Sequence, residues 1–543
     1  MIMRKRKLLV IAGVLTTIGL LLASCGPATE QPTTEQPTTE QPTTTGGPRG
    51  EITVALVSSS MRPMCDITTG TSVSAANVMK LLYDTLVNID DKAQIEPALA
   101  ESWKVADDWS SVDFTLRQGV KFHNGDPFTA KDVKFTVDKC KAPTSFFTYR
   151  SDWAMFVKEV VVVDDYHVKF ILNMPFPVIF DRMNDLLGIV PKDYYEKMGA
   201  TEFAAKPVGT GPFTIIDFKQ DQFLNAKAVV NHYRQTPYLE KVHLVYVPES
   251  TTRIAMLKTG EADITSVEAT QFTTVKDDPK LYVAWNNEDS ISAWVFHDLM
   301  NPKEGSPFLD VRVRQAVHIA IDRKMICEKV FNGVYSPANQ IYLSYNPGYD
   351  PNLPAIPYDP VKAKQLLAEA GYPHGFDTTL TYSMGNRTYN EAVAAYLADI
   401  GIRAKQAPME AATYTFTRNR STADPTGPMS LRGLTIHQQA HTTGIVHPGA
   451  CVQSQMAGGS SQSAGVVNPK EKALIDEMMN YNVGDPKLTE MAKQLNALAL
   501  TDLYHSPTWV VNTPWTITSR VYPDLKHTPG KYVHLNFVDI RLK

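Results

Sequence analysis

The sequence predicts an α/β protein of several lobes. Runs rich in β-branched residues alternate with helical stripes, yet they do not follow the strict strand-helix-strand order of one doubly wound domain. The chain of 543 residues is also longer than the size at which a single hydrophobic core keeps growing. Two or three lobes are therefore expected.

Short β-rich runs mark the predicted strands. The first, EITVALV at 51–57, leads into a helical stretch at about 77–86. Further strands are predicted at 112–116, within 158–172 and at 241–247. These runs are bounded by polar or turn-forming residues, as strand ends usually are.

Helical periodicity is clearest at 361–370, where four apolar residues recur at i, i+3, i+4 and i+7 before Gly371. A second stripe begins near Asn390 and ends before Gly401. Both stripes are expected to pack into the core, because an apolar helix face has to be covered.

The N-terminus has the pattern of an export signal, predicted over 1–24. Four basic residues precede the apolar run 8–22, which is too short for a comfortable transmembrane span. The run ends in the sequence Leu-Ala-Ser-Cys at 22–25, which resembles a bacterial lipobox, so we expect Cys25 to carry a lipid. An uncleaved anchor helix with a chance cysteine is the alternative. Both interpretations place the folded body outside the cytoplasm, on the cell surface or in a periplasmic space.

A spacer is predicted over 25–49. The pentapeptide TEQPT occurs three times from Thr29 to Thr43, with proline at every fifth position and almost nothing to bury. Such a composition favours an extended, disordered chain, which would hold the folded body at 50–543 away from the bilayer.

Charge and cysteine content exclude other classes of protein. The chain has 53 basic and 57 acidic residues without a long run of one sign in the body, so a nucleic-acid partner is not expected. The remaining cysteines show no CxxC spacing, which argues against a zinc or redox motif. They are interpreted as small buried groups, with disulfides permitted but unassigned: Cys65, Cys140, Cys327 and Cys451.

Four stretches carry a family resemblance. They are LLYDTLVNIDDKAQIEPALAESW with FTLRQGVKFHNGDPFTAKDVKFTVD (81–138), PVGTGPFTIIDF with STTRIAMLKTGEADI (207–264), LDVRVRQAVHIAIDR with NGVYSPANQ (309–340), and YDPVKAKQLLAEAGYPHGF (358–376). In this order they resemble the extracellular solute-binding proteins, family five, of peptide, dipeptide and nickel importers.

Parts of these stretches have a direct structural interpretation. Thr129 is the expected N-cap of a helix that starts near Ala130. The two glycines of VGTGP indicate that the backbone passes close to another part of the chain. RVRQAVHIAIDR is interpreted as an amphipathic helix whose arginines face solvent.

The resemblance implies a fold of the periplasmic-binding-protein type II with an extra lobe, hence three lobes and a ligand cleft between lobes one and three. A hinge between these two lobes would close over the ligand. The implied limits are about 50–76, 207–290 and 515–543 for lobe one, 77–206 for lobe two, and 291–514 for lobe three.

An arginine is the first candidate for ligand binding. Dipeptide-binding members use an arginine in a segment similar to RPYNP to hold the ligand carboxylate, and this chain has Arg387 in RTYN. A guanidinium can bind a carboxylate through two parallel hydrogen bonds. A solvated loop arginine is the alternative.

The expected amine site departs from the family. Peptide-binding members have an acidic residue there, whereas this chain reads GLTIHQQ at 433–439 and places His437 near the expected carboxylate. A neutral imidazole accepts one hydrogen bond but supplies no compensating charge. Aromatic candidates are Trp294 and His297 in SAWVFH and Tyr382 before Arg387, each with a core or rim position as the alternative.

The histidines His437, His441 and His447 raise a weak metal alternative, because imidazole suits nickel, copper and zinc. No catalytic motif such as GxSxG, HExxH, a Walker loop or GxGxxG occurs, so an enzyme and a bound cofactor are not expected.

The predicted function is capture of a small peptide or peptide-like solute by a monomer. It would deliver the solute to the permease of an ABC importer, whose ATPase is a separate protein. A metal-chelate or other small-solute binding protein and a chemosensory receptor with the same cleft are the alternatives.

Overall fold

The computed structural model describes residues 47–57, 76–90, 94–145, 147, 149–299, 305–410, 413–414, 417, 434–437, 447–456, 468–525 and 535–543. The strands are β1 (Glu51–Leu56), β2 (Val87–Ile89), β3 (Ile95–Pro97), β4 (Ala100–Val105), β5 (Ser111–Leu116), β6 (Val157–Asp164), β7 (His167–Leu172), β8 (Phe213–Lys219), β9 (Phe223–Ala228), β10 (Lys241–Tyr246), β11 (Ile264–Ser266), β12 (Leu281–Phe296), β13 (Ser336–Pro337), β14 (Phe376–Ser383), β15 (Ile402–Met409), β16 (Leu434–His437) and β17 (His505–Thr518).

The helices include both stripes predicted from periodicity. They are α1 (Ala76–Leu82), α2 (Ala130–Lys141), α3 (Arg150–Phe156), α4 (Ile179–Leu186), α5 (Lys192–Ala205), α6 (Ser250–Thr259), α7 (Val311–Ile319), α8 (Arg323–Lys329), α9 (Pro360–Glu369), α10 (Arg387–Asp399), α11 (Pro448–Met456), α12 (Pro469–Met478) and α13 (Pro486–Asp502). No described helix is long and apolar enough to cross a membrane.

A mixed sheet of eleven described strands organises the molecule. Its order is β15-β14-β16-β12-β17-β11-β1-β10-β9-β8, and β13 adds to β17. We call β1 and β8–β11 the β1 half, and β14–β16 the β14 half. The two halves are joined by β12, which has 16 residues, and β17, which has 14. These two long strands pair with each other from one half to the other.

The register between β12 and β17 breaks near its middle. Asn286 pairs with Thr513, but the next pair is Ser290 with Val511. Three residues of β12, 287–289, therefore lie opposite one residue of β17, and we call these three residues the β12 bulge. Such an insertion interrupts the ladder of hydrogen bonds and bends the strand locally.

A separate antiparallel sheet with the order β4-β5-β7-β6 is built from the chain between Ala100 and Leu172. Helix α2 packs against it, and β2 and β3 form a small ribbon beside α4. The lobe limits named above stay a prediction. Two of them, at 290/291 and 514/515, fall inside β12 and β17.

Two large hydrophobic clusters hold these layers together. The first core joins the β1 half to the four-stranded sheet and to helices α1–α5. The second core joins the β14 half to α6–α10 and reaches the middle of β17 at Trp509 and Val511. A smaller cluster packs α11, α12 and α13 on one another.

Local predictions on the first two family stretches are confirmed. Thr129 precedes α2, and the carboxylate of Asp132 accepts a hydrogen bond from the amide of Thr129 at 2.8 Å, as in a capping box. A Cβ on Gly209 would lie 2.0 Å from the carbonyl oxygen of Leu82, and one on Gly211 would be 2.5 Å from the carbonyl carbon of Leu82. Only glycine permits this approach.

The prediction that the arginines of RVRQAVHIAIDR face solvent is wrong for two of them. Arg314 and Arg323 are buried, whereas Arg312 is exposed. The buried guanidinium groups donate hydrogen bonds to main-chain carbonyls, so their burial is satisfied without a carboxylate. The segment also forms two helices, α7 and α8, and not one.

Three of the cysteines, Cys140, Cys327 and Cys451, are buried, in agreement with their interpretation as small core groups. Cys65 lies outside the described residues. The predicted export signal, the lipid-bearing Cys25 and the TEQPT spacer also lie outside them.

Candidate functional site

The directions of the strands locate a crevice. Strand β17 is antiparallel to both β11 and β12, and β1 is parallel to β10 and β11, so β1, β10, β11 and β12 all run the same way. Strands β14–β16 are mutually parallel, and β16 is antiparallel to β12. The carboxyl ends of the two halves therefore face each other across the middle of β12. Ligands of open α/β sheets bind outside the carboxyl ends of the strands.

Arg387 lies at the carboxyl edge of the β14 half. Strand β14 ends at Ser383, a short 3-10 turn follows at Met384–Asn386, and Arg387 begins α10. The side chain is exposed, and among the described residues its guanidinium forms no hydrogen bond and no ion pair. A cation in this position is available for an anionic group of a ligand.

Tyr382 lies beside Arg387 but is itself buried at the end of β14. Its hydroxyl donates a hydrogen bond to Oε1 of Gln406 on the neighbouring strand β15, at 2.6 Å. Burial raises the pKa of Tyr382, and the positive charge of Arg387 acts in the opposite direction. The two side chains are therefore close enough to interact electrostatically.

Tyr389 fixes the start of α10, and the sequence analysis missed it. Its ring contacts Phe331 and Trp509, with centroid distances of 5.3 and 5.1 Å. Trp509 in turn meets Trp294 edge to face at 5.9 Å. This packing anchors the first turn of α10, and with it the backbone of Arg387, on the second core. An aromatic residue two positions after Arg387 was the available signal.

Trp294 lies inside the second core with 0% of its surface exposed. His437 is the last residue of β16 and pairs with Ala293, so it too lies at the carboxyl edge of the β14 half. His297 begins a 3-10 turn directly after β12. The positions of the two histidine side chains are not among the described features, and His441 lies outside the described residues.

His447 is buried, and both ring nitrogens are used. Nδ1 accepts a hydrogen bond from the amide of Ala450 at 3.1 Å, and Nε2 donates one to the carbonyl of Tyr481 at 3.0 Å. Burial lowers the pKa of His447 to about 4. Among the residues that the structure describes, no group of three His, Cys, Asp or Glu side chains could hold a metal ion.

Acidic residues lie on the opposite edge, where sequence analysis proposed none. Glu249 follows β10, and Glu268 follows β11, so both lie at the carboxyl edge of the β1 half, and both are exposed. A carboxylate oxygen of Glu268 is 3.8 Å from Nη2 of the buried Arg253. Glu410 follows β15 and is also exposed, so the edge of the β14 half carries a carboxylate as well as Arg387.

An open mixed sheet whose two halves face each other across a pair of long strands is the architecture expected of a solute-binding protein. The family model of the bacterial extracellular solute-binding proteins, family 5 Middle, matches residues 94–437. The chain belongs to this family. The family and the fold predicted from the four sequence stretches are therefore confirmed.

Two relatives are similar to this chain in sequence. Heme-binding protein A of Haemophilus influenzae is 34% identical over 375 residues, which cover 64% of this chain and 67% of the relative. Glutathione-binding protein GsiB of Salmonella typhi is 32% identical over 345 residues, covering 62% and 65%. The chain thus spans about two thirds of the length of these relatives.

The dipeptide binding protein from Pseudoalteromonas sp. SM9913, in complex with Met-Leu, matches this structure with a TM-score of 0.77 at 22% identity. The match covers 91% of this chain and 100% of that chain. At this level of identity, the match shows the fold alone.

Proposed function

We propose that the protein captures a small peptide-like solute with a free carboxylate outside the cell and delivers it to the permease of an ABC importer. Arg387 binds the carboxylate. The observation that carries this proposal is the position of Arg387, an exposed cation without an acidic partner among the described residues, at the carboxyl edge of parallel strands.

The charges across the crevice support a zwitterionic solute. Arg387 on one edge would meet the carboxylate of such a solute. Glu249 and Glu268 on the other edge, whose carboxylates also act on the buried Arg253, would meet its ammonium group. Enclosure makes this matching necessary, because an unpaired ion in a closed cleft is costly. His437 at the end of β16 accepts a hydrogen bond from the solute without adding charge.

The relatives support the same class of solute. One of them is named for glutathione, a tripeptide, and the matched solved structure holds the dipeptide Met-Leu. Another relative is named for heme, so heme is the competing solute to be tested. Metal-chelate binding through histidines is less well supported, because both ring nitrogens of His447 already bind main-chain groups.

Delivery is proposed to follow closure of the two halves over the solute, with the lipid on Cys25 and the TEQPT spacer keeping the monomer at the membrane. The importer supplies the ATPase, and this chain performs no chemistry. A receptor that senses the same solute is the alternative, and binding to permease subunits in detergent separates the two roles.

The test is calorimetric titration of the full-length chain with glutathione, the dipeptide Met-Leu and hemin. Arg387→Ala is expected to weaken binding of the carboxylate solute at least about tenfold, because one charge-assisted pair is lost. Arg403→Ala is the matched control, since Arg403 is also exposed on the β14 half but is paired with Asp377 at 2.6 Å. Binding of hemin alone, unaffected by Arg387→Ala, would contradict the proposal.

A further inference from the structure

The first turn of α6 lies at the crevice and is not capped by a side chain. Helix α6 begins three residues after β10, so its N-terminus lies at the carboxyl edge of the β1 half. Its N-cap residue, Glu249, is exposed and forms no side-chain hydrogen bond with the first turn. Thr251 and Thr252 in this turn are also exposed. Amides of a first turn have no partner within the helix, and the helix dipole favours an anion beside them.

Arg253 reaches back to this turn and uses one side of its guanidinium only. Nη1 donates hydrogen bonds to the carbonyls of Val247 and Pro248, at 2.9 and 2.7 Å. Nε and Nη2 are buried and form no hydrogen bond with any residue that the structure describes. The N–H groups of Nε and Nη2 point in the same direction, so this side of the guanidinium can bind both oxygens of a carboxylate.

The hydroxyl of Ser250 is a second unpartnered group at the same place. Ser250 is the first residue of α6, only 7% of it is exposed, and its Oγ forms no hydrogen bond within the described part of the chain. A buried polar group without a partner costs free energy, and a buried cation costs more. Burial accordingly lowers the pKa of Arg253, an effect that Glu268 and Glu249 oppose. A ligand that accepts these hydrogen bonds removes the cost.

Glu268 is near the unpartnered side of Arg253 but is not hydrogen-bonded to it. Its Oε1 is 3.8 Å from Nη2, and 55% of its side chain is exposed. An ion pair with an exposed partner at this distance is weak. The carboxylate of Glu268 can therefore give way to an incoming carboxylate and remain beside it.

We propose that the first turn of α6 is a second anion site of the crevice, in which Arg253, Ser250 and the first-turn amides bind a second carboxylate of the solute. Because Glu268 lies beside this site, the carboxylate and the ammonium group of the solute lie side by side, as they do on one α-carbon. A peptide keeps both groups on its first residue only when that residue is joined through its side chain, as in a γ-glutamyl peptide. The inference rests on the proposed function and narrows its solute to a peptide with such an α-amino-acid head.

The test compares solutes that differ by one group. Glutathione, a γ-glutamyl peptide, is titrated calorimetrically against the full-length chain, together with γ-aminobutyryl-Cys-Gly, which lacks only the carboxylate of the head. Removing this carboxylate is expected to weaken binding at least about tenfold, because one charge-assisted pair is lost. Equal affinities for the two solutes would overturn the inference.

Two variants assign the loss to α6. Arg253→Lys retains a cation that can bind the carbonyls of Val247 and Pro248 but lacks the second side of the guanidinium. Ser250→Ala removes the hydroxyl, and it decides the same question if Arg253→Lys does not fold. Thr259→Ala is the matched control, because its hydroxyl lies at the other end of α6 and bonds only to carbonyls of that helix.

Removing the head carboxylate should weaken binding about tenfold in Thr259→Ala, as in the parent chain. The loss should be less than about fivefold in the two variants at the first turn, because part of the site is already gone. An equal loss in all variants would place this carboxylate elsewhere and overturn the inference.

Glutathione amidated at its glycine separates this inference from the proposed function. If amidation weakens binding through Arg387 while removal of the head carboxylate does not, the inference fails and the proposed function stands. If only the head carboxylate matters, the site at α6 stands and the proposed role of Arg387 is wrong. Binding of Met-Leu without binding of glutathione would also overturn the inference and leave the proposed function intact.

Discussion

Arginines occur in two contrasting environments in this molecule. Arg253, Arg314 and Arg323 are buried and donate to main-chain carbonyls, whereas Arg387 is exposed and has no acidic partner among the described residues. The buried guanidinium groups connect loops and helices whose carbonyls would otherwise be unsatisfied. The difference shows that arginines within the family stretches organise the fold, whereas Arg387 lies outside these stretches and has an exposed side chain.

Removing a buried arginine gives the largest expected effect. Burial lowers the pKa of Arg323 to about 9, yet its guanidinium still donates to the carbonyls of Pro507 and His318 at 3.2 and 2.6 Å. Arg323→Met leaves these carbonyls without a donor and is expected to lower the free energy of unfolding by ~3 kcal/mol. Urea unfolding measures it. Arg312→Met, at an exposed arginine of the same motif, is the control. An equal loss of unfolding free energy in both variants would contradict the distinction between buried and exposed arginines.

Two buried carboxyl groups differ in pKa because one has cationic neighbours and the other has none. Burial alone would raise the pKa of Asp84, but Arg234 and His232 outweigh burial and lower it to about 2. For Glu471 on α12, burial and then the nearby charge of Asp502 raise the pKa to about 7. A buried acid without a cation is thus protonated more easily than in the unfolded chain.

Glu471→Gln tests the raised pKa of Glu471 through the pH dependence of stability. A raised pKa means that the folded chain binds more protons, so the contribution of Glu471 to stability is present below pH 4.5 and is lost as pH rises to about 7. The full loss corresponds to ~3 kcal/mol at most. Urea unfolding from pH 5 to 8 should show this decline in the parent chain and a flatter profile in Glu471→Gln. Parallel profiles would show that Glu471 is not the cause.

Substitution of Arg387 should have the smallest effect on stability. Arg387→Ala is expected to change the free energy of unfolding by less than about 0.5 kcal/mol, because an exposed side chain without described partners is removed. Urea unfolding next to Arg323→Met checks this. A loss comparable to that of Arg323→Met would place Arg387 with the structural arginines.

Much of the fold could be predicted because its signals are local. The stripe of α9, the N-cap at Thr129 and the glycines of VGTGP each depend on neighbouring residues in sequence or on the absence of a Cβ. Burial of Arg314 and Arg323 could not be predicted from helical periodicity. The carbonyls that satisfy them come from residues brought together only by the tertiary structure.

The candidate site could be predicted in part. Arg387 became a candidate through its motif. The packing of Tyr389 depends on ring contacts with residues distant in sequence, and the acidic residues on the facing edge follow from strand directions, neither of which the sequence specifies. The β12 bulge has the same origin, since a register break between strands more than 200 residues apart leaves no local pattern.

A double-mutant cycle on Arg387 tests the central claim most directly. Met-Leu and its C-terminal amide are each titrated against the full-length parent chain and Arg387→Ala. If Arg387 binds the carboxylate, amidation weakens binding to the parent chain at least about tenfold and has little further effect in Arg387→Ala. Equal losses on amidation in both chains would show that the carboxylate is bound elsewhere and would contradict the account.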